Sequence, residues 1–124
     1  MSIFILIRKN IAKRRAQLIM PTLKKNPILS DFQSYVNELE VERGFIDQNV
    51  LQKCLLLGEE VGELFKAIRK TEKIKIDINS ESTTVSEELA DILIYICAIA
   101  NRYDIDLEDA FREKEKINHL RIWK

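Results

Sequence analysis

The chain has 124 residues, 46% of them hydrophobic and 32% charged, with a formal net charge of zero. That length suits one domain with a modest core, and three glycines with two prolines are too few for a turn-rich all-β design. No apolar run approaches the ~20 residues that cross a bilayer, so no membrane partner is expected. The zero net charge conceals an asymmetry. Residues 1–30 carry seven basic residues and no acid, leaving about −7 on the rest. An acidic body disfavours nucleic acid as a partner.

In chain order, residues 1–29 read as a basic N-terminal extension, with a short apolar run Ile3–Ile7, a basic stretch, and Pro21 and Pro27 around Lys24 and Lys25. The apolar run is too short for a secretory h-region; an organelle presequence or a membrane-surface helix would share the acid-free composition. Met20 is an alternative start, and the extension is expected to be disordered or non-native and to carry no chemistry. Residues 30–124 form the expected domain. Its first helix starts after Ser30, with Gln33 completing a capping box, and Phe32, Tyr35, Val36 and Leu39 at core spacing. Gly44 ends it in a Schellman position, and Asp47 caps a second helix over about 48–70. That helix has a wide apolar face that includes Cys54. Cys54 and Cys97 are expected to be buried reduced thiols of a cytoplasmic protein. Gly62, within the helix, admits either close helix packing or a ligand, packing being preferred.

Residues 71–83 read as an exposed connection, although Ile74, Ile76 and Ile78 alternate as in a short β-ribbon. Thr84 with Glu87 forms a capping box for a third helix, and Ile92–Ala100 is apolar at every position. Such a helix is expected to be buried nearly all round, at the centre of a bundle or in an oligomer interface. Asp104 and Asp106 mark the next break, before a fourth helix over about 107–121. The fold class expected is all-α and four-helix-bundle-like.

Against this apolar background stand paired carboxylates. Glu60 with Glu63, and Glu88 with Asp91, lie three residues apart, which puts each pair on one helix face, one turn apart. Buried carboxylates need cations or raised pKa values. Lys66 and Arg69 could supply structural ion pairs. Alternatively, an all-oxygen ligand set with no His or Cys selects Mg²⁺, with Mn²⁺ as substitute, over zinc. The single histidine, His119, reads as a surface residue. On the fourth helix Lys114, Asn118 and Arg121 fall at i, i+4 and i+7, a stripe able to clamp phosphate oxygens.

The ordered pattern Glu59-Glu60-x-x-Glu63 followed by Glu88-x-x-Asp91 resembles the signature of the MazG-type all-α nucleotide pyrophosphohydrolases. The flanking Leu57–Leu64 and Glu87–Tyr95 segments, Asp104–Leu107 and the Lys114, Asn118, Arg121 pattern agree with that resemblance over about residues 31–121. It implies Mg²⁺-dependent cleavage of a nucleoside triphosphate between its α- and β-phosphates, in a homodimer or a dimer-of-dimers tetramer. Carried over, Glu60, Glu63, Glu88 and Asp91 would ligate the metal and Lys114, Asn118 and Arg121 would hold the phosphates. Glu59 would add a ligand or orient the attacking water, and Glu59 or Glu63 could take its proton. Phe32, Tyr35, Phe45 and Trp123 are candidates to stack on the base.

Overall fold

A computed structural model describes residues 20–124. The apolar run Ile3–Ile7 and the basic stretch after it lie outside the described residues. Four helices follow in order: α1 Leu29–Arg43, α2 Val50–Thr71, α3 Val85–Arg102 and α4 Leu107–His119. No strand occurs among the described residues, and residues 74–78 form an irregular connection rather than a ribbon. The broadest contact is between α2 and α3, with α1 packed on α3 and, less extensively, on α4.

Helix α1 begins two residues earlier than Ser30 suggests. Its N-cap position is Ile28, whose backbone N–H donates to Asp31 Oδ2 at 2.8 Å. That bond holds the Asp31 carboxyl below its ordinary range, and Lys24 adds an ion pair at 3.3 Å. Gly44 ends the helix as expected, at φ 75, with Phe45 N–H reaching back to the Glu40 carbonyl at 2.8 Å. The cap of α2 is Asn49 rather than Asp47. Asn49 Oδ1 accepts from Gln52 N–H at 2.9 Å, and Gln52 Oε1 accepts from Asn49 N–H at 2.8 Å. At α3 the Thr84–Glu87 box forms as the sequence indicates. Asp104 takes the left-handed conformation after α3, and Asp106 caps α4 through Asp109 N–H at 2.9 Å. Helix α4 closes at His119, two residues short of expectation, so Arg121 lies beyond the helix.

The innermost cluster is Val36, Cys97 and Ala98, with Phe32, Tyr35, Ile94 and Leu107 packed around it. Phe32 and Tyr35 therefore serve the core and are not free to stack on a base. Helix α3 is not buried all round within one chain: Leu89, Leu93 and Ile96 are 53%, 36% and 38% exposed. Cys54 is exposed as well, against expectation, because only part of the broad apolar face of α2 meets α3; Cys97 is buried, which pushes its thiol pKa up. A Cβ built at Gly62 would meet no atom within 4 Å, so Gly62 leaves open space rather than a close helix crossing.

Gln33 fastens α1 to the α3–α4 corner. Its amide donates to the Ile105 carbonyl at 2.7 Å and to Asn101 Oδ1 at 3.3 Å, while Oε1 accepts from Leu107 N–H at 3.0 Å. Asn101 Nδ2 returns a bond to the Gln33 carbonyl at 2.8 Å. Gln33 is buried, so Gln33→Leu would strand the Leu107 N–H. The expected cost is about 2 kcal/mol, measured as a lower urea midpoint at unchanged slope.

Candidate metal and nucleotide site

The antiparallel pairing of α2 and α3 brings the two acidic turns together. Glu60 from α2 and Glu88 and Asp91 from α3 each present a carboxylate oxygen within 4.8 Å of the others. Glu88 is only 2% exposed, and its Oε1 accepts from the Thr83 hydroxyl. Its Oε2 is buried without a hydrogen-bond partner. The Glu60 pKa is raised from 4.5 to about 7. Burial is the main cause; next come the close approach of Glu88, which favours a proton between the two acids, and the charges on Asp91, Glu88 and Glu59. Tyr95, on α3 near these acids, has its phenol pKa raised by burial and by the Glu60, Asp91, Glu59 and Glu40 charges.

The structural ion pairs that Lys66 and Arg69 could have supplied are not formed among the described residues. Arg69 donates instead to the Lys75 carbonyl at 2.8 Å. Three converging carboxylates, one holding an orphaned buried oxygen, form an oxygen-only donor set suited to a hard divalent cation.

Not every expected residue joins this cluster. Glu59 is exposed but close enough to act on Glu60. Glu63, one turn along α2, lines a separate pocket of about 670 Å³ with Lys66, Lys70 and Ser80–Thr83. Lys114 is exposed on α4. Asn118 and Arg121 share a pocket with Glu115, His119 and Trp123, and no acid of the cluster lines it. The Asn118 amide donates to Glu115 Oε1 at 3.0 Å. Because α4 ends before Arg121, the three-residue stripe is not continuous on one helix face. His119 is exposed, as expected.

A second pocket, of about 290 Å³, adjoins the cluster at Glu60 and Asp91 and is walled by Arg43, Phe45, Ile94 and Tyr95. Lys53 and Glu40, which also line it, belong to a buried ionic network that sequence reasoning missed. Lys53 Nζ lies 3.1 Å from Glu40 Oε2, and Arg102 clamps both Glu40 oxygens at 2.6 and 2.8 Å. Arg102 also donates to the Gln48 and Phe45 carbonyls, tying the α1–α2 turn to the end of α3. Burial pushes Glu40 up, but its bonds to Arg102 and Lys53 outweigh this and hold its pKa below the ordinary value. Lys53 Nζ stands 5.3 Å from the Phe45 ring centre and 5.5 Å from that of Tyr95. The available signal was a lysine directly before the apolar run Cys54–Leu57, together with a glutamate beside Leu39.

The model of the MazG nucleotide pyrophosphohydrolase domain matches residues 48–120, more than half of the chain and all of α2, α3 and α4. Among solved structures, the crystal structure of iMazG from Vibrio DAT 722 is similar in two tagged forms. The Ctag form is 34% identical with a TM-score of 0.55, covering 76% of this chain and 100% of that one. The Ntag form is 33% identical with a TM-score of 0.55, covering 79% of this chain and 100% of that one. No curated protein matches the chain significantly. With the acidic cluster built from two of the three helices that this match includes, the chain belongs to the MazG nucleotide pyrophosphohydrolase domain family.

Proposed function

We propose that this protein hydrolyses a nucleoside triphosphate between its α- and β-phosphates, releasing the monophosphate and pyrophosphate, with Mg²⁺ as cofactor and Mn²⁺ as substitute. The observation that carries this reading is the convergence of Glu60, Glu88 and Asp91 with an unpartnered oxygen on Glu88. Glu60, Glu88 and Asp91 would hold the cation, and Glu63, one turn away, would complete the ligand set. When bound, such an ion neutralises phosphate charge and lowers the pKa of a coordinated water. The protein's own groups do the rest. Glu59 or Glu63 accepts the proton of the water that attacks the α-phosphorus in line. Phe45 and Tyr95 wall a space near the volume of a nucleoside, with the Lys53 ammonium fixed among them by Glu40.

In this reading the protein works as a dimer or a dimer of dimers. The exposed residues Leu89, Leu93 and Ile96 recur at helical spacing on α3, and Leu51 and Leu55 on α2 are 74% and 76% exposed. A stripe of that kind suits contact with a second copy. Lys114, Asn118 and Arg121, remote from the acids within one chain, would then hold phosphate oxygens across the interface. No described helix is long and apolar enough to cross a membrane. A nucleotide substrate, two free cysteines and an acidic body fit a cytoplasmic protein with no nucleic-acid partner.

The test is pyrophosphate release from a panel of ribo-, deoxy- and modified nucleoside triphosphates with Mg²⁺, run in ¹⁸O-labelled water. Pyrophosphate release with the label in the monophosphate is the expected result. Label in the pyrophosphate, or release of orthophosphate instead, would place the cleavage at another bond and defeat the proposal.

A further inference from the structure

We propose that the pocket between α2 and the α2–α3 connection is the subsite for the leaving pyrophosphate, held by Lys66, Lys70 and the Ser82 hydroxyl. The inference rests on the hydrolysis reading above and gives it a direction along the protein.

None of the three clustered acids lines this pocket, of about 670 Å³, but two of its wall residues connect to them. Glu63 on its wall is one helical turn from Glu60, and Thr83 on the opposite wall donates its hydroxyl to Glu88. The pocket of Phe45, Tyr95 and Lys53 meets the same cluster at Glu60 and Asp91. The carboxylates therefore stand between an aromatic pocket and one lined by lysines and hydroxyls. A nucleoside triphosphate has the same order of parts: a flat base, the α-phosphate where cleavage occurs, and a terminal diphosphate.

Two further features point to an anionic ligand. Lys66 and Lys70 lie at i and i+4 on α2, and neither forms an ion pair among the described residues. Ser82 Oγ is buried without a hydrogen-bond partner, a donor with nothing to donate to. The Glu63 and Glu81 carboxylates also line the pocket and offset the two lysine charges. That balance suits pyrophosphate carrying Mg²⁺ better than the bare anion. The sequence motif offered Lys114, Asn118 and Arg121 for the phosphates, but none of these lines the pocket.

Calorimetric titration with inorganic pyrophosphate, with and without Mg²⁺, tests the subsite independently of turnover. Lys66→Gln with Lys70→Gln should weaken binding of Mg²⁺-pyrophosphate about 100-fold, roughly tenfold for each charge-assisted contact. Nucleoside monophosphate affinity should stay within about twofold. Ser82→Ala, a milder change, should weaken pyrophosphate alone by about fivefold. Circular dichroism confirms that each variant is folded. If pyrophosphate affinity is unchanged in the double variant, or if only Lys114→Ala and Arg121→Ala reduce it, the subsite is elsewhere. Failure of wild-type protein to bind Mg²⁺-pyrophosphate overturns it too. Lysine-dependent binding without any triphosphate turnover would uphold the subsite while removing the hydrolysis reading.

Discussion

Glu60→Gln is expected to cut Mg²⁺-dependent turnover by about 10³-fold, the scale of several kcal/mol of lost charge stabilisation. The same change should raise the melting temperature of metal-free protein, because it removes one of three acids crowded within 4.8 Å. A residue with a purely structural role would not show this opposed pair of effects. The pH dependence supplies a second signature. Glu60 keeps its proton in the folded protein up to about pH 7, whereas the unfolded chain releases it near the ordinary value of 4.5. Between those values the folded state binds more protons than the unfolded state, so stability falls as pH rises through that window. Above about pH 7 this contribution levels off. Saturating Mg²⁺ should reverse the decline, and Glu60→Gln should flatten it. Melting curves from pH 4 to 9, with and without Mg²⁺, measure all three. A wild-type curve that rises from pH 5 to 7 without metal would contradict the proposed crowding.

Glu40→Gln is the second change with a large expected effect, and it acts on stability. Lys53 and Glu40 are 2% and 4% exposed, and Arg102 donates to both Glu40 oxygens. Removing the carboxylate charge leaves two largely buried cations uncompensated, which should cost about 3–5 kcal/mol. Lys53→Met in the Glu40→Gln background should recover part of that loss, since one stranded charge then disappears. Denaturant unfolding of the single and double variants gives the coupling directly. The network also governs the acid limb of the stability curve. The folded pKa of Glu40 lies below its unfolded value of about 4.5, so its contribution is present above that pH and fades as pH falls below it. With Glu60 acting in the opposite sense, metal-free protein should be most stable near pH 5.

What the sequence reveals of this protein is what neighbours in the chain decide. Thr84 with Glu87, and Gly44 with its left-handed φ, are local devices, and both form where their residues place them. The pairing of Glu60 with Glu88 and Asp91 is legible because two consecutive amphipathic helices, joined by residues 72–84, pack antiparallel. Contacts between distant segments leave a weaker trace. The partners of Gln33 lie 68–74 residues away and those of Glu40 up to 62, and no periodicity foretells them. Periodicity likewise shows that α3 is apolar on every side but not which side another helix of the same chain covers. The early stop of α4 follows from local geometry, since the backbone N–H groups of Leu120 and Arg121 turn back to Ile117 and Asn118.

The division of labour among the helices bears on how the molecule can open. The three converging acids lie on α2 and α3, which form the most extensive helix pair, whereas α1 joins that pair through α3 and a few long-range polar clasps. Opening at α1 has to break the packing of Val36 on Cys97 and Ala98 as well as these clasps. Release of α1 would separate Glu40 from Lys53 and uncover the aromatic pocket without dispersing the carboxylates. Cation retention and nucleoside exchange would then be governed by different barriers in the same small domain.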